Sequence, residues 1–150
     1  MTVAEPEPIT FLILDAARLI RQRFERELET AGLGITAGEA RTLLWAGRYP
    51  GLRQTALAEK LGVEPMTLVG FLDRLEAAGL VTRTQDPTDR RAKLVQPTAA
   101  ATPLVARIES IARTVRQRAM GALGERQSEM IRAGLEQMRD ALSASEAVGT

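Results

Sequence analysis

The sequence contains no cysteine and no histidine. These two absences exclude a thiol redox switch, a Cys/His zinc site, a Ser-His-Asp triad and a histidine general base. Aromatic side chains are few, limited to Phe11, Phe24, Trp45, Tyr49 and Phe71, while Ala, Leu and Arg dominate. That mixture suits helices better than sheets. A charge excess of one sign is also missing. The formal net charge is +1, so no global basic field announces a nucleic-acid partner and any positive surface must be local. No segment approaches the ~20 apolar residues that a membrane span needs, and MTVAEPEPIT at the start lacks a basic stretch leading into an apolar run. The expectation is a cytoplasmic protein with no membrane partner, which the absence of cysteine fits.

What is present is the composition of a globular protein. The 150 residues are 45% hydrophobic and 26% charged, enough for one folding unit with a core. After a lead-in punctuated by Pro6 and Pro8, apolar residues recur at helical spacing from Ile9 to Ala31, with Ile13, Ala17, Ile20, Phe24 and Leu28 on one stripe and Leu12, Ala16 and Leu19 beside it. Such a helix is ~34 Å long at 1.5 Å per residue. A long apolar-faced helix near a chain end suits packing against a second subunit, the alternative being a core helix of a monomer.

Gly32 and Gly34 end this helix, and Thr36 with Glu39 three residues later forms a capping-box pattern for the next, which stops at Tyr49-Pro50-Gly51. A short helix is predicted from Arg53 to Leu61, followed by a bend at Gly62. Another starts at Glu64, read as its cap, with Pro65 in its first turn and Leu68, Leu72 and Leu75 facing inward up to Ala78-Gly79. Two helices joined by a short Gly-containing turn make a helix-turn-helix candidate. Leu80 to Gln85 and Ala92 to Gln96 read as strands around a turn-rich tip, Asp86-Pro87-Thr88-Asp89. The unit over 35–97 is therefore a winged helix-turn-helix. Thr102, read as an N-cap before Pro103, opens a long helix marked by Leu104, Ile108, Ile111 and Val115. A last helix from Glu125 to Leu142 carries Ile131, Leu135 and Met138, and the tail after it is expected to fray. The fold class is mainly α with a small β-wing. Helices over 9–31 and 102–145 flank the winged unit as dimerisation elements.

In this order of elements the chain resembles the MarR family of bacterial transcriptional regulators over nearly its whole length. The residues that carry the resemblance are a Leu-Ala-x-x-Leu-Gly helix at Leu57–Gly62, a Leu-Glu-x-x-Gly-Leu-Val exit at Leu75–Val81 and an Asp-x-Arg wing at Asp89–Arg91. Three positions depart from the family's habit. Arg53 stands where Ser or Thr usually starts the helix, Gly70 removes a side chain from the middle of the reading helix, and Pro97 replaces Leu before Thr98.

The resemblance implies double-stranded DNA as a partner, read as a pseudopalindrome by a homodimer that most often represses. The major groove admits one helix. Glu64, Pro65, Met66, Thr67, Gly70 and Arg74 would face it, with Pro65 and Met66 toward thymine methyls, Thr67 on a base or phosphate and Arg74 on a phosphate. Arg53 and Gln54 at the start of the preceding helix would add backbone contacts. On the wing, Arg91 would enter a narrow minor groove, with Asp89 ordering its guanidinium and Arg90 and Lys93 on phosphates. The plain alternatives are a solvated charged turn at the wing and an Arg74 paired to Asp73 or Glu76.

The family also implies a small effector, often aromatic and anionic. Arg18, Arg21 and Arg41 would meet its carboxylate and Phe11 and Trp45 would form apolar walls, although a tryptophan so placed is more often core than ligand wall and helix-surface arginines are usually solvated. No cofactor or metal is expected. Carboxylates such as Glu39, Asp73 and Asp89 show no partner spacing for acid-base work, so an enzyme is not expected. A protein-binding adaptor that keeps the fold without DNA binding is the competing class.

Overall fold

A computed structural model of the chain describes residues 5–147. The last residues of the expected fraying tail, 148–150, lie outside them. The first helix, α1, spans Ile9–Ala31 as expected, and its final turn is closed by the Gly32 N–H donating to the carbonyls of Leu28 and Glu29. Of its long apolar stripe, Phe24 and Leu28 are buried. Ile9, Phe11, Leu12, Leu14, Leu19 and Ile20 stay exposed. Tertiary packing therefore stabilises the carboxyl-terminal third of this helix, while the apolar surface of the rest is uncovered in the single chain.

The capping box at the head of α2, Ala37–Arg48, is complete. Thr36 Oγ1 accepts the Glu39 N–H at 3.2 Å, and Glu39 Oε2 accepts the Thr36 N–H at 3.0 Å. Next comes β1, Leu52–Arg53, a two-residue strand that the sequence pattern does not announce. Arg53 thus ends a strand rather than opening a helix. Its extended backbone serves as the N-cap of α3, Gln54–Leu61. The bend after α3 needs Gly62, whose φ of 64° places it in the left-handed region that side chains with a Cβ rarely adopt. The helix α4, Pro65–Ala77, starts with proline in its first turn. Glu64 occupies the N-cap position, but its side chain makes no capping hydrogen bond, so the expected cap is a backbone one.

The strand β2, Val81–Asp86, is shifted one residue from its expected place, β3, Asp89–Pro97, is longer at both ends than the sequence suggests, and the chain turns between them through Pro87-Thr88 alone. The three strands form an antiparallel sheet in the order β1-β3-β2, with Leu52 opposite Val95 and Val81 opposite Pro97. Regular pairing of β2 with β3 runs to Gln85 opposite Lys93 and then jumps to Asp86 opposite Asp89. Arg90, Arg91 and Ala92 therefore bulge out of the ladder, which re-aims them at the wing.

A 3-10 turn, Ala99–Ala101, leads directly into α5, Thr102–Met120. Thr102 already has helical angles and is not a cap. Thr98 anchors the start instead, with its N–H on Leu80 O and its hydroxyl on Gly79 O. The last helix, α6, covers Glu125–Ala147 and runs past the expected end at Leu142, since no Pro or Gly interrupts Ser143 to Ala147.

The described residues form two compact units, one ending at Arg113 and the next beginning at Thr114. The core of the first is built from Leu43, Leu57, Leu68, Leu72, Leu75 and Val95, all essentially without solvent contact. Each such leucine contributes about 1.5–3 kcal/mol by burial. In the second unit, the α6 residues Met130, Ile131, Leu135, Met138 and Leu142 are exposed. Among the described residues, no helix is long and apolar enough to cross a membrane.

Candidate nucleic-acid interface

The reading helix is presented by its buried leucines. With Leu68, Leu72 and Leu75 inside, the opposite face leaves Glu64, Pro65, Met66, Thr67 and Arg74 exposed and Gly70 half-buried. Thr67, Gly70 and Arg74 are spaced three and four residues apart, so they share one stripe of α4. The bend in front of this helix is reinforced from α2. Arg41 Nη2 donates to the Leu61 carbonyl at 2.8 Å and so satisfies an end of α3.

Neither Asp73 nor Glu76 pairs with Arg74. Both hold Arg83 of β2, whose Nη2 lies 2.6 Å from Asp73 Oδ1 and 2.9 Å from Glu76 Oε1. The hydrogen bonds from Arg83 hold the Glu76 carboxyl below its ordinary range, and the same pairing raises the Arg83 guanidinium further. This clamp fixes the wing to the reading helix. Arg74 instead donates from Nε to Glu39 Oε1 at 2.5 Å, and its guanidinium carbon sits 5.6 Å from the Phe71 ring centroid. Burial opposes charge on Glu39, but the bonds from Arg74 and Thr36 prevail and keep its carboxyl below the ordinary value.

Arg53 is tied to the base of the wing. Its Nε donates to Asp86 Oδ2 at 2.7 Å and its Nη2 reaches Thr88 Oγ1 at 3.4 Å. Asp86 also accepts the Thr88 N–H and hydroxyl, each at 2.8 Å, and these bonds, the backbone one foremost, lower its pKa. The adjoining Gln54 is half-buried at the start of α3. At the tip, Asp89 does not hold the Arg91 guanidinium. Its Oδ1 accepts the Arg91 backbone N–H at 3.0 Å, an Asx-type turn that shapes the chain. Gln85 Nε2 donates to the Arg90 carbonyl at 2.9 Å, which fixes the bulge from the other strand. Arg90, Arg91 and Lys93 are exposed, and the guanidiniums of Arg90 and Arg91 meet no acceptor among the described residues. Glu39, Arg83, Gln85 and Asp86 are the supporting residues that sequence reasoning missed. Only the capping-box role of Glu39 was visible in the sequence.

The five residues considered for an effector occupy varied settings. Phe11 is exposed, Arg18 pairs with Asp15 one turn earlier, and Arg21 is exposed on α1. Arg41 is half-buried at its carbonyl. Burial and then the nearby Arg21 charge lower its pKa, with Glu25 opposing. Trp45 stacks on Tyr49 at 5.8 Å, with Lys60 Nζ 4.5 Å from the Tyr49 centroid. One surface hollow is lined by Ile35, Thr36, Glu39, Arg74, Leu75 and Leu80, and another by Gly47, Pro50, Pro97, Thr98 and Val105. None of the five lines either.

The MarR family profile matches residues 35–93, the reading helices and most of the wing. Among solved structures, the transcriptional regulator PA3341 is 32% identical, with 91% of this chain and 99% of that chain covered at a TM-score of 0.80. A MarR-family regulator from Silicibacter pomeroyi is 25% identical over 87% of this chain and 86% of that one, with a TM-score of 0.77. CouR from Rhodococcus jostii RHA1, solved bound to p-coumaroyl-CoA, is 26% identical over 88% and 92%, with a TM-score of 0.74. Winged architecture, matched profile and identity over nearly the full length agree: the chain belongs to the MarR family of transcriptional regulators.

Proposed function

We propose that the chain is a cytoplasmic homodimeric repressor that binds a pseudopalindromic operator in duplex DNA. The observation that carries this reading is the pair of unneutralised guanidiniums, Arg90 and Arg91, held on a bulged wing that Arg83 clamps to the reading helix. A cation without a partner on an ordered tip is suited to an anionic ligand, and a narrow minor groove concentrates negative potential. The stripe Thr67, Gly70 and Arg74 would lie in the major groove with Glu64, Pro65 and Met66 at its leading end. Lys93 would take a phosphate. Arg53 and Gln54 would supply a weaker backbone contact, since Arg53 already serves Asp86. Gly70 places little chemistry on the bases, so half-site spacing and DNA shape carry much of the specificity.

Two reading heads would engage half-sites about one helical turn, ~34 Å, apart. The exposed apolar surfaces of α1 and α6 support the dimer. A small anionic aromatic effector would relieve repression by binding one head spacing better than the other. The resemblance to CouR supports that chemistry. Phe11, Arg18, Arg21, Arg41 and Trp45 remain the candidate contacts.

The test is binding of the purified protein to fragments of its own genome, starting with the promoter of the neighbouring gene, followed across salt. A log-log slope near −0.9 per phosphate neutralised is expected. Binding absent from every fragment would overturn the reading and favour a protein-binding adaptor.

A further inference from the structure

We infer that Glu39 is a positioning residue for DNA binding: from the first turn of α2 it holds Arg74 of the reading helix in the conformation that meets a phosphate. This inference rests on the DNA-binding reading above. The two carboxylate oxygens of Glu39 do separate jobs. Oε2 accepts the Thr36 N–H in the capping box, and Oε1 accepts Arg74 Nε. The Glu39 side chain is 8% exposed and that of Arg74 57%, so a rooted carboxylate grips the base of an outward-facing guanidinium. The Phe71 ring lies beside that guanidinium and fixes its second side. Nε is consumed while neither Nη group makes a hydrogen bond among the described residues and the side chain stays more than half exposed, so the two Nη groups can still offer parallel donors to a phosphate. A free Arg must be ordered when it binds. An Arg already held loses less entropy, and affinity rises accordingly.

The discriminating variant is Glu39→Gln. Glutamine also serves in a capping box, so its single carbonyl oxygen keeps the Thr36 bond while its amide NH2 faces the Arg74 donor and cannot accept from it. DNA affinity is measured by fluorescence anisotropy for the wild type, Glu39→Gln, Arg74→Ala and the double variant, with thermal unfolding of each. The expected result for Glu39→Gln is a loss of roughly two- to tenfold, the scale of one newly mobile side chain. The double variant should bind no worse than Arg74→Ala alone, because Glu39 acts only through Arg74. Unchanged or tighter binding by Glu39→Gln would overturn the inference, the latter showing that Glu39 withholds Arg74 from DNA. Additive losses in the double variant would overturn it too. Failure of the wild type to bind would instead overturn the DNA-binding reading itself.

Discussion

Arg53 and Asp86 meet at 2.7 Å across 33 positions of sequence, joining the two-residue strand β1 to the last residue of β2. Asp86 is buried and gathers the Thr88 N–H and hydroxyl as well. Its carboxylate thus sets the turn that carries the wing arginines. Asp86→Ala is expected to leave the Arg53 and Thr88 donors without their acceptor and to loosen the tip. Hydrogen exchange at residues 86–92 should accelerate, and DNA affinity should fall. The leucine core does not depend on this residue, so exchange in α2 and α4 should remain slow. Tip exchange unchanged from wild type would refute the role.

Arg91 and Arg74 should separate two kinds of readout. The Arg91 guanidinium has no acceptor among the described residues, so Arg91→Ala should leave thermal stability within about 0.5 kcal/mol of wild type, as surface changes usually do. Its effect should fall on operators with A·T-rich flanks and weaken when those flanks are made G·C-rich. Arg74→Ala should weaken binding to all sequences alike and lower the salt slope by about one. Competition titrations against both operator designs at several salt concentrations check the pair. A flank-independent loss in Arg91→Ala would place that side chain on a phosphate instead.

The legible parts of this chain were those encoded at short range. Thr36 and Glu39 announce their capping box over three residues, and Leu68, Leu72 and Leu75 announce a buried helix face by period alone. The strand β1 is too short to show alternation, and its two residues pair only because Leu94 and Val95 return beside them. The supporting ion pairs were hidden for the same reason. Arg74 finds Glu39 35 positions away, and Arg41 finds the Leu61 carbonyl 20 positions away. Composition could identify exposed cations on the wing, but the tertiary fold decides which carboxylate each cation meets. Asp89 is the instructive case, since its spacing to Arg91 suggested a guanidinium partner and its short side chain reached the nearer backbone N–H.

Glu39, Glu76 and Asp86 all hold their protons less tightly in the folded chain than unfolded carboxyls do. For Glu39 and Glu76 the hydrogen bonds from Arg74 and Arg83 oppose burial, and for Asp86 the Thr88 bonds lead. As pH falls, the unfolded chain therefore takes up protons first. The stability these groups contribute is fully present above the ordinary carboxylate range, near pH 4 to 4.5, and is lost as pH drops through their lower folded values. Urea unfolding from pH 8 down to pH 3 should show a midpoint that is flat at first and declines only as pH falls through and below that range. Glu76→Gln should flatten the decline while lowering stability at neutral pH. A decline beginning above pH 6 would contradict the assignment, because no histidine exists to titrate there.

The exposed apolar residues of α1 make a separate claim about assembly. Leu12 and Leu19, seven residues apart, lie on one side of the helix and are about half exposed. If they are covered by a second subunit, the double substitution Leu12→Glu and Leu19→Glu would bury two unpaired charges there, which is costly. Sedimentation should then show a monomer at micromolar concentration where the wild type is a dimer. Cooperative binding to the two half-sites should be lost with it. A wild type that sediments as a monomer would refute the dimer outright.

A close approach between α2 and α4 gives the last test. A Cβ built on Gly38 would overlap the Phe71 ring, so glycine at this position lets the two helices meet. Gly38→Ala gains up to about 1 kcal/mol of helix propensity but forces the ring aside, an overpacking cost of about 1–3 kcal/mol. The net effect should be a loss of stability. Phe71 also supports Arg74, so DNA affinity should fall as well. In a Phe71→Ala background the overlap disappears and only propensity remains, so the same Gly38→Ala change should become stabilising. Denaturant unfolding of the four proteins measures that reversal of sign, and a Gly38→Ala effect equal in both backgrounds would show that the ring yields without cost.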